Sequence, residues 1–445
     1  MTTDVDVVVL GLGPGGETVA AKLAKAGLSV VGIEARLVGG ECPYYGCVPS
    51  KMMIAAAGTL AQARHVPQLA GAAQVQPDWA PVATRIREEA TDDWDDTVAV
   101  ERLESSGATF VRGTGTITGP GQVEVNGTTY AASRAVVVNT GTEPAIPPID
   151  GLADTPYWTN RDVVQLTELP ASLVVIGAGA IGAELAQVMA RFGVQVTLLE
   201  VADRVLPPEE PEAGAMLQDA FVAEGMKVRT GVSISRVDHA DGTFTVSLGD
   251  EQITADKLLV SAGRRSNLAG IGLEHMGADP EASTLETDER MRAGDRLWGI
   301  GDITGKGAFT HVSMYQADVA VRDILGEDGP WADYRAVARV TFTGPEVASV
   351  GLTEAQAREQ GLDVRVASGD LGARGWLAKE EGLIKVVASD GVLVGATVVG
   401  SAGGEIMGML ATAIHARVPV ETLLGMHYAY PTYHRAVESV LHDLD

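Results

Sequence analysis

A chain of 445 residues, at about 150 residues per domain, holds two to four domains and buries cores that need no disulfide or metal staples. Hydrophobic residues make up 46% and charged residues 21%, a globular balance that excludes a disordered or collagen-like chain. Lys and Arg number 33 against 59 Asp and Glu, a net charge of −26 that repels phosphate backbones and anionic lipid, so neither nucleic acid nor membrane is an expected partner. No run approaches the roughly 18 apolar residues of a spanning helix, and Asp4 and Asp6 precede the first basic residue, Lys22, so a cytoplasmic protein is expected.

VDVVVL reads as a buried strand, GLGPGG as a glycine turn, Glu17 to Ala26 as a helix, and LSVVGIE as a second strand ending at Glu34. Gly11 allows the tight turn, Gly13 lets backbone approach a pyrophosphate, Gly16 permits close helix packing, and Glu34 stands where ribose hydroxyls are accepted. GGECPYYGCVPSK then precedes the apolar helical stretch MMIAAAGTLAQA, which puts Cys47 near a helix N-terminus that favours its thiolate. Cys42 and Cys47 without clustered His make only half a tetrahedral zinc site, so no metal site is expected. The pair reads as a reversible disulfide or as two buried structural thiols.

Pro77 to Ser105 reads as a polar helix, GATFVRGTGTITGPGQVEV and RAVVVNTG as short strands, and AIPPIDGL as a linker. ASLVVI then leads into GAGAIG, with Gly177, Gly179 and Gly182 at the three glycine positions, a helix from Ala183 to Phe192, and VQVTLLE ending at Glu200. The spacing from Gly11 to Glu34 recurs from Gly177 to Glu200 at a constant offset of 166, so the chain holds two nucleotide-binding units of one design. A carboxylate at Glu200 suits a 2′-hydroxyl and repels a 2′-phosphate, which favours NADH over NADPH, a preference tempered by the nearby Arg204. KLLVSAGRRSN and RLWGIGDITG end strands in glycine and polar residues, where open α/β sheets hold ligands. From about Trp331, strands (VTFT, GLIKVV, GVLVGATVVG) and helices (TEAQAREQ, GEIMGMLATAIHA) read as an antiparallel sheet with helices on one face.

A cysteine pair preceded by one dinucleotide turn and followed by a second, with GRRSN and IGD strand ends and the later runs VTFTGPEVASVGLTEAQAREQG and GATVVGSAGGEI, resembles the class I flavoprotein (pyridine nucleotide) disulfide oxidoreductases. Lipoamide dehydrogenase, glutathione reductase and mercuric reductase are members, and the resemblance covers essentially the whole chain. It implies an α/β fold with two Rossmann-like dinucleotide-binding domains, for FAD and NAD, plus a C-terminal α+β dimerisation domain. The implied division is an FAD-binding part at 1–148, an NAD(P)H-binding domain at 149–262, a central FAD part at 263–330 and an interface domain at 331–445.

The resemblance further implies FAD at the first glycine turn with Glu34, Gly40, Glu41, Lys51, Gly115, Thr140, Gly141, Asp302 and Thr310, Asp302 facing the ribityl chain. It puts NAD(P)H at the second turn with Ile181, Glu200 and Gly263. By the same resemblance Cys47 faces the flavin, Cys42 is the interchange thiol, and Lys51 pairs with Glu184 near the reactive flavin edge, where fixed positive charge favours the reduced anion. Electrons then run from NADH through FAD to the disulfide and a small acceptor, in a homodimer whose site the partner's C-terminal segment completes.

Members that work on disulfides usually carry His-Pro-Thr with a Glu five positions after the His. HYAYPTYHR instead puts Tyr430 at the His position and Arg435 at the Glu position. A phenol of reference pKa about 10 is no base at neutral pH, so the expected acceptor needs little proton assistance: a disulfide, a quinone or a soft metal ion. His427 and His434 flank the motif as possible substitutes. The bulky Tyr44 and Tyr45, and Glu41 where many relatives place Thr beside the FAD pyrophosphate, point to a remodelled pocket or to exposed side chains. The vicinal C-terminal cysteines of mercuric reductase are absent from the closing HDLD. A dihydrolipoamide dehydrogenase with an atypical base, and a flavin redox sensor without turnover, are the alternatives.

Overall fold

The strand Thr2–Leu10 is buried on both faces from Val7 onward, which is why its sequence is an unbroken apolar run. In the computed structural model, which describes residues 1–444, the chain divides into two units. One comprises residues 1–49, 85–145 and 264–333, the other residues 50–84, 146–263 and 334–445.

The first unit is built on an eight-stranded sheet. Its main path runs Arg292–Gly294, Leu297–Gly299, Thr128–Val138, Thr2–Leu10, Val30–Glu34 and Thr109–Arg112, parallel except for the first pair. Val7 and Val9 pack on one face with Val19 and Leu23 of the helix Pro14–Lys25 and with Ala317, Ala320 and Ile324 of the helix Thr310–Leu325. Val8 and Leu10 pack on the other with Ile33, Ile117, Val136 and Leu273. Each such Val or Leu contributes about 1.5–3 kcal/mol by leaving water.

In the second unit, Lys227–Arg229, Gln195–Leu199, Ser172–Ile176 and Lys257–Val260 form a four-stranded parallel sheet, accompanied by an antiparallel three-stranded one over Arg236–Ala240, Thr243–Leu248 and Glu251–Ala255. A five-stranded antiparallel sheet follows in the order Ala338–Thr341, Glu346–Gly351, Val392–Gly400, Leu383–Ser389, Arg365–Gly369. Ile406, Leu410 and Ile414 of the helix Gly403–His415, and Val437 and Val440 of Tyr433–His442, cover one face through Val350, Val386 and Val398.

Several expectations are corrected. The two glycine-turn helices begin at Pro14 and Ala180, three residues earlier than their apolar periodicity suggested, because each starts directly on the turn, with Gly13 and Gly179 as N-caps. The polar helix over 77–105 is interrupted: Ala80–Arg85 runs into a wider turn at Ile86–Ala90, and Asp92, Asp93 and Trp94 take left-handed φ before Thr97–Ser105 begins. Tertiary contacts hold that break, Trp94 Nε1 donating to Tyr44 O (3.1 Å) and Val38 N to Asp96 Oδ2 (2.6 Å). Residues 50–84 group with the second unit, where Arg64 donates to Arg191 O (2.7 Å) and Trp79 Nε1 to Leu166 O (2.8 Å).

Candidate functional site

The two glycine turns share the contacts of their acids and of their first and third glycines. Glu34 accepts from Leu12 N and Arg36 N, both at 2.8 Å; Glu200 accepts from Ala178 N (2.7 Å) and Ala202 N (2.9 Å), the same positions shifted by the repeat. Each acid therefore clamps its turn as well as standing at the end of its strand. Gly11 and Gly177 have φ of +88° and +102°, and a Cβ on either would lie 2.3 or 2.5 Å from the carbonyl oxygen of Asn139 or Ser261. A Cβ on Gly16 or Gly182 would lie 2.0 or 1.9 Å from the carbonyl of Gly11 or Gly177. Asn139 and Ser261 are residues the sequence reading missed. Asn139 accepts from Gly16 N and donates to Ile300 O, while Ser261 donates to Ile176 O and Gly177 O. Their signal was present: each is the polar residue that directly ends an apolar strand, in AVVVN and KLLVS.

All residues assigned to FAD lie in the first unit except Lys51, and those assigned to NAD lie in the second. After the strand Thr128–Val138, Thr140 Oγ1 is buried without a hydrogen-bond partner, and Gly141, at φ +64°, has nothing within 4 Å of the Cβ position, features a bound FAD would fit. In the second unit the Cβ positions of Gly179 and Gly263 are equally open, whereas a Cβ on Gly13 of the first turn would lie 3.3 Å from Asn139 Oδ1. Ile181 lies on the first turn of the helix Ala180–Arg191. Gly115 is explained by packing, since a Cβ there would meet Leu10 at 2.5 Å and Ile33 at 3.3 Å. Arg204 is held in its own loop by Asp203 (3.0 Å) and Pro207 O (2.8 Å).

Cys42 sits in the short helix Glu41–Tyr44, and Cys47 opens the 23-residue helix Cys47–Leu69, where Pro49 is tolerated because the first turn needs no donor from it. Thr310, on the first turn of Thr310–Leu325, lies with its hydroxyl 3.4 Å from Cys47 Sγ. The direct hydrogen bond with Cys47, then burial, push the Cys42 thiol well above its ordinary range, and Thr310 opposes them. Thr310, assigned to cofactor binding from sequence, is thus placed against the thiols. Tyr44 is buried (6% exposed) rather than facing a pocket or solvent; burial, then Asp96, raise its phenol pKa. Glu41 is half-buried and 3.5 Å from Arg264.

Lys51 donates to Glu184 Oε2 at 2.8 Å, while Glu184 Oε1 accepts from Phe342 N (2.8 Å) and Lys51 lies 4.9 Å from the Phe342 ring centroid. With Glu184 buried, this is a fixed pair and not a loose surface contact. Asp302 Oδ2 accepts from Thr142 Oγ1 (2.7 Å), which in turn accepts from Arg264 Nε (2.7 Å); neither Thr142 nor Arg264 was singled out from sequence. Tyr430 is 74% exposed, His427 is exposed and His434 half-buried. Arg435 pairs with Glu438, one turn along its helix, which Thr432 caps by accepting from Arg435 N. Tyr428 donates to Leu423 O. No group of three or more His, Cys, Asp or Glu among the described residues is arranged to hold a metal ion.

A cysteine pair at a helix start thus lies in the unit that holds the first of two matched glycine turns. Residues 5–322 match the pyridine nucleotide-disulphide oxidoreductase family and residues 337–440 its dimerisation domain. The chain is 33% identical to a dihydrolipoyl dehydrogenase of Thermus scotoductus, over 96% of this chain and 94% of the relative, and 33% identical to a mercuric reductase of Streptomyces lividans, over 98% and 95%. Among solved structures it resembles LpdA from Mycobacterium tuberculosis (TM-score 0.87, 26% identity, 99% of this chain and 100% of that one). It also resembles the Cu(II) complex of the HOCl-induced flavoprotein disulfide reductase RclA from Escherichia coli (TM-score 0.85, 25% identity, 100% of both).

This chain belongs to the pyridine nucleotide-disulphide oxidoreductases, enzymes that bind FAD and use NAD(P)H, and its dimerisation domain supports a homodimer. No helix among the described residues is long and apolar enough to cross a membrane.

Proposed function

We propose that the protein is an NADH-dependent reductase that passes electrons through Cys42 and Cys47 to a small acceptor, and that the acceptor is a thiophilic metal ion. FAD, when bound, supplies the two-electron relay between nicotinamide and disulfide. The observation that carries the reading is the thiol pair Cys42 and Cys47 beside Thr310, with contact and burial raising the Cys42 thiol, in a chain with Tyr430 and Arg435 at the positions where the resemblance expects a base and its orienter. Cys47 is exposed at a helix N-terminus, a place that favours a thiolate.

A thiol without a base is a poor nucleophile toward a disulfide, whereas a thiophilic cation displaces the thiol proton itself as it binds. Re-forming the S–S bond then releases two electrons, which reduce one Hg(II) to Hg(0) or two Cu(II) to Cu(I), while the two thiol protons pass to solvent. Similarity to a mercuric reductase and to a protein solved with Cu(II) supports this direction. Glu200 directly after its strand, and Arg204 tied to Asp203 and Pro207, support NADH over NADPH. Tyr430, exposed on one chain, is read as reaching the partner's site.

The test is an anaerobic NADH titration followed by an acceptor panel of Cu(II), Hg(II), menadione and lipoamide, on wild type and Cys42→Ser. Expected are a long-wavelength thiolate–flavin band before the flavin bleaches, and metal reduction that Cys42→Ser abolishes while menadione reduction persists. Metal reduction indifferent to Cys42 would refute the reading. Rapid lipoamide turnover would instead establish a dihydrolipoyl dehydrogenase with an atypical base, the reading that the 33% identity to such enzymes favours next.

A further inference from the structure

The strand Thr142–Pro144 pairs antiparallel with Arg264–Ser266, and this ladder lays the Arg264 guanidinium across Thr142. Arg264 Nε donates to Thr142 Oγ1 at 2.7 Å and Nη2 to Thr142 O at 2.8 Å. A guanidinium has no acceptor, so the Thr142 hydroxyl meets it with a lone pair and its single proton is committed elsewhere. That proton goes to Asp302 Oδ2, 2.7 Å away. The direction of the whole chain, from Arg264 to Thr142 to Asp302, is therefore fixed by chemistry. Thr142 is buried, Asp302 is half-buried, and Glu41 lies 3.5 Å from Arg264 Nη2 as its counter-charge. Asn267 closes the same ladder by donating to Thr140 O (3.0 Å).

We infer that Arg264 and Thr142 are positioning residues that orient the Asp302 carboxylate, leaving its remaining lone pairs aimed at a polyol hydroxyl of the bound flavin, and that Glu41 is retained in place of a neutral residue because Arg264 needs its charge. The inference rests on FAD occupying the first glycine turn. The relay tells a ligand that donates, such as a ribityl hydroxyl, from one that only accepts. It also ties the segment bearing Cys42 to the Asp302 end of the cofactor site, because Glu41 directly precedes Cys42.

The experiment is flavin release from the purified holoprotein, followed by flavin fluorescence at a fixed sub-denaturing guanidinium concentration, for Thr142→Val, Thr142→Ser, Arg264→Met and the double variant Thr142→Val/Arg264→Met. Valine keeps the shape and removes the relay, and serine keeps the hydroxyl. Release about tenfold faster in Thr142→Val and Arg264→Met is expected, with Thr142→Ser within about twofold of wild type and the double variant no faster than the worse single one. Should Arg264→Met fail to fold, the Val and Ser pair decides alone. Thr142→Val retaining flavin like wild type, or Ser losing it like Val, overturns the relay while leaving the FAD reading intact. Wild-type protein that holds no flavin at all overturns the FAD reading and the relay with it.

Discussion

Cys42 and Cys47 are five positions apart in the sequence, and that spacing made them visible; what they do to each other was set by burial and by Thr310. Because contact with Cys47 is the largest cause raising the Cys42 thiol, alkylation of Cys42 in the reduced protein is expected to keep accelerating with pH beyond the ordinary thiol value of about 8.5. Cys47→Ser removes that cause and shifts the Cys42 profile toward lower pH, whereas Thr310→Val removes an opposing contact and shifts it upward. Brief iodoacetamide pulses read by peptide mass spectrometry separate the two sulfurs. A Cys42 profile that ignores both substitutions would show that the thiols titrate independently. Tyr44 marks the limit of residue-level reading: its bulk was evident, but its burial goes with Trp94, 50 positions on, whose Nε1 donates to Tyr44 O.

At the scale of elements, the glycine turns separate packing from binding. Gly182→Ala drives a Cβ into Gly177 O and is expected to cost about 1–3 kcal/mol of stability or more. Gly179→Ala meets nothing within 4 Å and is expected to leave the unfolding temperature alone while raising KM for NADH severalfold, because the space it fills is then the nucleotide's. Thermal unfolding and steady-state kinetics of the two variants distinguish the roles, and an unchanged KM in Gly179→Ala would remove nucleotide binding from that turn.

Elsewhere Lys385, on the strand Leu383–Ser389, is buried against Glu210 and Glu212, both at 2.9 Å, and Glu354 at 3.1 Å. Burial opposes its charge, but the three carboxylates outweigh burial and raise its pKa. Lys385→Met strands Glu210 and is expected to cost about 3–5 kcal/mol. Lys385 also holds Glu212 against the opposing effect of burial, and Glu354 together with Arg358, below the ordinary carboxylate range. The unfolded chain therefore binds more protons in that window, and this contribution is full above about pH 4.3 and fades as pH falls. The acid-side drop in unfolding temperature should consequently be shallower in Lys385→Met than in wild type.

For the whole molecule, the dimerisation domain and the exposed Tyr430 make a joint prediction. If a partner's Tyr430 completes each site, Tyr430→Ala lowers turnover without altering the fold. Mixing inactive Cys42→Ser with Tyr430→Ala protomers in equal amounts then restores about a quarter of wild-type activity, since half of the dimers carry one intact site of two. Co-expression with two affinity tags and an assay of the isolated heterodimer check it; no recovery would place Tyr430 in its own chain's chemistry or in none.

Local backbone demands and local periodicity were legible from sequence alone. Positive φ at Gly11 and Gly177, two strands ending in an acid, the cysteine spacing and the apolar runs each occupy a few consecutive residues, and the constant offset of 166 repeated the message. These sufficed for the α/β class, the family and its cofactors. Tertiary structure alone decided the left-handed break at Asp92 to Trp94, the allegiance of residues 50–84 and the burial of Tyr44. It alone brought Arg264 to Thr142 across 122 positions and Thr142 to Asp302 across 160. The reason is physical: a glycine's torsion or a strand's alternation is satisfied by its neighbours, whereas a buried hydrogen bond needs a partner that only the completed sheet brings within reach.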